Sequence, residues 1–473
     1  MLFHDRIFLL FFPTVFFVYF LVRRNNTLAL AWITSASYVF YGWWNPYYLV
    51  LIVLATVADW GIGLGMGRFP RSKLLLGATL ASNIGFLAFF KYAEFVTENL
   101  NVGLAWLGAE WAMVNPARAA MESLGMRYLL PVGISFFTFQ SLSYTIDVWR
   151  QKIPVERSLL RFATFVSLFP QLVAGPIERA SNLLPQLYGT RTISRDDITQ
   201  GLSHFLVGLF KKVALADYLA IYVDKVYAAP GEHHAPALLL ATFAFAWQIY
   251  FDFSGYTDMA RGVAQMMGYR LMLNFNNPYV ATGLGDFWSR WHISLSTWFK
   301  DYVYFPLGGN RGSKFATYRN MVATMLISGV WHGAAWGFLI WGALHAAGRV
   351  VTRELEGTAF YRDRVPRFAK QIAVFVFVCF TWIFFRGRTW ADSWTVLSRI
   401  FTTRWDVDPQ FPVVLLALVL AVWIYQFLYS GGTAATRRLV EWAPVRVGLA
   451  AGMVLWLAVV AHSSQAAFIY FDF

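Results

Sequence analysis

The chain has 473 residues, 58% of them hydrophobic, 19% aromatic and only 14% charged, with a formal net charge of +13. Soluble domains carry roughly 25% charged residues, so this composition excludes an ordinary water-soluble enzyme. Its long, non-alternating apolar runs exclude an outer-membrane barrel. What remains is an all-α polytopic membrane protein, since a helix satisfies its own backbone in lipid. The positive balance is read as basic cytoplasmic loops and contact with anionic membrane lipids, with no nucleic-acid partner.

In chain order, hydrophobic segments lie at 7–22, 28–42, 47–67, 74–97, 128–148, 162–177, 201–226, 237–257, 321–347, 371–385, 412–430 and 446–470. Several are shorter than the roughly 20 residues of a perpendicular span. The expectation is about ten or eleven transmembrane helices, the remainder being re-entrant or interfacial. The first segment, IFLLFFPTVFFVYFLV, lacks a small-residue cleavage site and reads as a span rather than a removable signal. Arg23 and Arg24, then Arg68, Arg71 and Lys73, then Arg150, Lys152, Arg157 and Arg161 mark the first, third and fifth connections. The connection 43–46 has no basic residue, and 98–127 mixes Arg118 and Arg127 with Glu98, Glu110 and Glu122. Odd connections inside place the N-terminus outside, in the periplasm if the membrane is a bacterial inner membrane.

No internal repeat or long linker divides the chain. The expected organisation is one integral-membrane domain over 1–473, with N-terminal spans in 1–150, a catalytic core in 151–350 and C-terminal spans in 351–473. The lone cysteine, Cys379, sits in an apolar run and reads as a small buried hydrophobe.

The stretch 250–320 combines aromatics, charges and turn residues. Pro278, Gly283, Gly285, Pro306, Gly308 and Gly309 cut it into short helices and turns. Irregular backbone at membrane depth is tolerated where protein covers it or where it lines a cavity. Residues 270–320 are therefore read as short amphipathic helices plus a loop around a polar cavity on the inner side.

Two histidines then stand out. His332 lies within the apolar segment 321–347, flanked by Gly329, Gly333, Ala334, Ala335 and Gly337, with Trp331 and Trp336 as flat walls. Ionisable groups in such segments are expensive and functional by default. A neutral imidazole in a dry site can accept a proton. His292 lies forty residues upstream in SRWHISLSTWFKD. A metal reading of the pair lacks a third ligand at characteristic spacing and an HExxH pattern, so no metal is expected. His345 reads as a structural core imidazole. The carboxylates of FDFSGYTD and Asp301 read as ion-pair partners, with Asp301 also a candidate for the tunnel wall.

With these residues in view, the chain resembles the membrane-bound O-acyltransferases, and within them the bacterial polysaccharide-acetylation branch. The likeness rests on YGWWNP (41–46), PVGISFFTFQSLSYTIDVWR (131–150), LFPQLVAGPIER (168–179), FDFSGYTDMARG (251–262), NFNNPY (274–279), FWSRWHISLSTWFKDYVYFPLGGNRG (287–312), SGVWHGAAW (328–336) and the terminal FIYFDF. A D-alanyl-transfer branch shares both histidines, whereas the PLGGNRG extension is more similar to the acetylation branch.

The resemblance implies a helical fold around a central tunnel. It also implies transfer of an acetyl group from cytoplasmic acetyl-CoA, a substrate rather than a bound cofactor, to a hydroxyl reached across the inner membrane. A periplasmic or membrane-anchored acetyltransferase of the SGNH type would then pass the group to an exopolysaccharide such as alginate. On this reading His332 is the general base, and His292 orients the acyl group or donates a hydrogen bond to the developing oxyanion. Arg290, Lys300, Arg311 and Lys314 are candidates for the donor's phosphates, and Trp288, Trp291 and Trp298 for the tunnel wall. The competing readings are transfer of D-alanyl or another acyl group to an envelope polymer and, in a different class, a proton-coupled transporter or flippase. The absence of repeat halves weakens the latter.

Overall fold

The computed structural model describes residues 1–123, 125, 128, 130–406, 412–431 and 442–460, so the terminal FIYFDF lies outside the described residues. Among the described residues all regular structure is helical. The chain is a polytopic membrane protein. Four of these helices are both long and apolar enough to cross a membrane: Tyr48–Arg68, Lys73–Trp106, Ala235–Met266 and Arg367–Arg386. The chain forms two compact units, Met1–Leu202 with Ala260–Met272, and Ser203–Met259 with Leu273–Phe473.

In the first unit, α1 (Phe8–Val22), α2 (Asn26–Gly42), α3 (Tyr48–Arg68) and α4 (Lys73–Trp106) precede α5 (Ile134–Trp149) and the short α6 (Leu159–Ser167). Local chemistry sets the helix starts. Asn25 accepts from the Leu28 amide before α2, and Ser72 from the Leu75 amide before α4. A polar knot joins three of these helices in their apolar surroundings. Asp59 of α3 accepts from Thr79 and Asn83 of α4, each at 2.9 Å, and Thr79 also bonds Thr145 of α5 at 3.0 Å. Satisfied polar groups of this kind hold helices together where the hydrophobic effect between them is absent. The expected segment 162–177 is divided, because Leu168 leaves the helical region (ψ 110°) between α6 and the short helix Phe169–Leu172.

The second unit carries α7 (Asp217–Ala228), most of α8 (Ala235–Met266), the short α9 (Leu284–Trp288) and α10 (Ile293–Phe299), then α11 (Lys314–His332), α12 (Trp336–Glu356) and α13 (Arg367–Arg386). The region 270–320 is thus short helices and turns, as its Pro and Gly content predicts. A π-helical turn at Lys300–Tyr304 extends α10.

The continuous apolar segment 321–347 is not one helix. It breaks after His332, where Gly333 and Ala335 are extended (φ −165° and −150°), and resumes at Trp336. Close packing requires glycine there: a β-carbon at Gly333 would overlap the ring of Phe338. The two helices then run antiparallel. Gly329 faces the Phe338 carbonyl, Gly342 faces Met325 (a β-carbon there would lie 2.6 Å from its carbonyl oxygen), and Lys314 pairs with Glu354 at 2.5 Å. Small residues at the contact let the backbones approach.

An ion triad anchors the same unit. Lys212, only 2% exposed, pairs with Asp217 at 2.8 Å and with Asp252 of the FDFSGYTD block at 3.0 Å. Lys211 pairs with Asp258 at 2.6 Å. These carboxylates hold helices together by ion pairing, as expected for that block. Cys379 is buried.

Candidate functional site

His332 is the last residue of α11 and is 3% exposed. Three rings stand edge-on to it: Trp331 and Trp341, with centroids at 5.0 Å, and Phe385 at 5.3 Å. His292 is fully buried just before α10, in left-handed geometry (φ 43°, ψ 55°). Phe253 lies edge-on to it at 4.7 Å and Trp331 at 6.2 Å. Trp331 therefore touches both imidazoles, and residues forty apart in sequence meet across one indole. Burial pushes the His292 imidazole down, to about 3, so the ring is neutral at ordinary pH.

A polar cradle fixes His292. Its Nδ1 lies 3.1 Å from Asn274 Oδ1, which also accepts from the Ser294 amide at 3.2 Å and the Ser294 hydroxyl at 2.9 Å. His345 is also fully buried, with Nε2 3.0 Å from the Thr381 hydroxyl, and it packs on Trp341 at 4.7 Å. That is the arrangement of a structural imidazole.

A cavity of about 240 Å³ opens beside this cluster. One wall is the face of α11 that carries Met321, Thr324, Met325 and Ser328. Another comes from Trp288 of α9 and from Leu295, Ser296 and Phe299 of α10. Ser328 precedes His332 by four residues on the same helix face, roughly 6 Å along the axis. The lining of the cavity thus comes within one turn of the imidazole. Trp288, on its wall, packs on Trp341, which in turn packs on His332.

Three cations line the cavity: Lys300, Arg349 and Arg353. The antiparallel register of α11 and α12 puts Arg349 and Arg353 toward Lys314, at the end away from His332.

Of the four cations singled out in the sequence, Lys300 alone lines this cavity. Arg290 is turned into Asp286 at 2.6 Å, Lys314 pairs with Glu354, and Arg311 is exposed on the glycine-rich turn. Arg349 and Arg353 were not singled out, although their i, i+4 spacing sets them on one helix face.

The tryptophans divide similarly. Trp288 lines the cavity, and Trp291 is buried in the aromatic core beside Phe287 and Trp382. Trp298 is buried against Tyr302 at 5.0 Å, and Trp336 is 56% exposed at the start of α12. Asp301 lies half-buried in the π-helical turn. No group of three or more His, Cys, Asp or Glu side chains is placed to hold a metal ion among the described residues.

Comparison with known proteins places this geometry in context. A probable alginate O-acetylase of Azotobacter vinelandii is 40% identical over 409 residues, covering 85% of this chain and 78% of that protein. A peptidoglycan O-acetyltransferase of Helicobacter pylori is 34% identical over 423 residues, covering 82% and 77% respectively. A teichoic acid D-alanyltransferase of Bacillus subtilis is 29% identical over 271 residues, 54% of this chain. The model of the membrane-bound O-acyltransferase family matches residues 105–389, a span that contains both histidines and the whole cavity wall. The chain belongs to that family and is an O-acyltransferase of the membrane-bound type.

Proposed function

We propose that the protein takes an acetyl group from cytoplasmic acetyl-CoA and hands it across the inner membrane to a periplasmic or membrane-anchored acetyltransferase of the SGNH type, for O-acetylation of an exopolysaccharide such as alginate. The observation that carries this reading is the cavity: cationic at one end and lined at the other by Ser328, one helical turn from His332. Its volume of about 240 Å³ is below the range of sites that engulf a drug-sized ligand. It suits a slender acyl-pantetheine arm, with the nucleotide left outside.

In this scheme Lys300, Arg349 and Arg353 meet the donor's phosphates, with Arg290, Arg311 and Lys314 as surrounding positive charge. His332 removes the acceptor hydroxyl's proton as its oxygen attacks the thioester carbonyl, and the coenzyme A thiolate leaves and is protonated. General-base assistance supplies typically 10²–10⁴-fold. The larger share comes from holding both reactants in one dry channel. His292, a ring away from His332, helps to position the reactants.

Purified protein in detergent, given acetyl-CoA and a hydroxyl acceptor, should release coenzyme A, and His332→Ala should not. Uptake driven by an ion gradient without thioester turnover would instead establish a transporter. D-Alanyl transfer is tested in the same assay by exchanging the donor for a D-alanyl thioester.

A further inference from the structure

The cradle around His292 determines which of its nitrogens carries the proton. A backbone N–H can only donate, so the Asn274 atom facing the Ser294 amide at 3.2 Å is the carboxamide oxygen. The Ser294 hydroxyl, 2.9 Å away, gives its one proton to the same oxygen. The His292 Nδ1 that approaches this oxygen at 3.1 Å must then bring a hydrogen. In a neutral imidazole the other nitrogen, Nε2, carries the lone pair. Burial keeps the ring neutral, with Phe253, Phe275 and Trp331 packed around it.

We infer that Asn274 is a positioning residue that locks His292 as an Nε2 hydrogen-bond acceptor, so that His292 orients a donor group of the substrates, a hydroxyl or a pantetheine amide N–H, rather than stabilising an oxyanion. This rests on the acyl-transfer reading for the role of the ring, and on the geometry alone for its tautomer. It assigns a task to the NFNNPY block, whose Asn274 is fully buried and reaches the site through the Ile293 amide as well, which donates to its backbone carbonyl at 2.9 Å. It also separates the two imidazoles by duty, His332 removing a proton and His292 accepting a hydrogen bond without moving one.

Two measurements test it. In protein labelled with ¹⁵N-histidine and held in lipid bilayers, the resonances lost in His292→Gln should be those of a neutral ring protonated at Nδ1. A ring protonated at Nε2 overturns the inference. Second, Asn274→Asp keeps the shape and the acceptor oxygen but sets a carboxylate beside Nδ1, which raises the imidazole pKa toward neutrality. The neutral form is then present only above that pKa. The kcat/KM for acetyl transfer should fall about tenfold per pH unit below it, a limb the wild type lacks. A profile unchanged from wild type makes Asn274 merely structural, and higher relative activity at low pH makes His292 a donor; either result overturns the proposal. Should the Asp variant fail to fold, the tautomer measurement on the unsubstituted protein decides. Wild-type protein that turns over no acetyl-CoA would refute the proposed function and leave the tautomer result standing.

Discussion

Gly333→Ala is the smallest change that should disable the site. The backbone at Gly333 is extended (φ −165°), which any residue adopts, so the effect is steric and not conformational. A β-carbon there overlaps Cδ2 and Cε2 of Phe338 and lies 2.7 Å from Cζ. Carbon atoms in contact rest about 3.5–4.0 Å apart, and the nearest ring carbon would lie at 1.9 Å, so one side must give by well over 1 Å. Phe338 has little room to swing, since it is 7% exposed and packs edge-on to Phe385 at 4.9 Å. Phe385 in turn packs on His332 at 5.3 Å, so the displacement is passed to the imidazole directly or through that ring. Overpacking of this kind costs about 1–3 kcal/mol, which the fold should survive, whereas a misplacement of about 1 Å can cost on the order of 10²-fold in rate. The assay is coenzyme A release by purified protein, normalised to folded protein by size-exclusion chromatography. Adding Phe338→Leu should restore part of the rate by making room. A Gly333→Ala protein with more than half the wild-type kcat/KM would refute the reasoning, because the break would then not be holding His332 in place.

His332→Ala should abolish cell-surface acetylation at near-normal membrane abundance, and His292→Ala should impair it less completely, both read from acetyl content and immunoblot. Charge reversal at Lys300 or Arg353 should raise the KM for acetyl-CoA at least tenfold with a smaller loss in kcat, as expected for lost uniform binding. Arg311→Glu and Lys314→Glu should have smaller effects in the same titration that fade in high salt. Lys212→Met should leave Asp217 and Asp252 facing one another without their cation. Breaking a buried pair costs about 3–5 kcal/mol, so the variant should be scarce in the membrane or melt at clearly lower temperature in detergent. A cysteine at Ser72 should be shielded from an impermeant thiol reagent in intact cells while one at Ser123 is labelled, and the reverse pattern would invert the assigned orientation.

What the sequence revealed and concealed follows from range. Composition alone disclosed a helical membrane protein, and Pro and Gly spacing disclosed the short helices between Leu284 and Phe299, because both depend on local chemistry. The break after His332 was hidden, since GVWHGAAW is as apolar and small as a packed helix. At the break Phe338 closes on Gly333, a contact that exists only once α12 folds back. Arg349 and Arg353 escaped notice for the same reason. Their spacing marks one helix face, but nothing local says that this face lines a cavity shared with α11. The two histidines were legible as unusual residues, and Trp331 as a flat neighbour of one. That Trp331 touches both is a product of folding. Lys212 is the clearest omission. Asp252 was read as an ion-pair partner, yet its cation lies forty residues earlier, in a π-helical turn whose sequence FKKVALA gives no sign of it.

The place where α11 stops has a consequence for the electrostatics beside His332. The last four carbonyls of a helix have no partner within it. In α11 that end falls at His332, so the partial negative end of the helix dipole lies in the apolar surroundings of the imidazole.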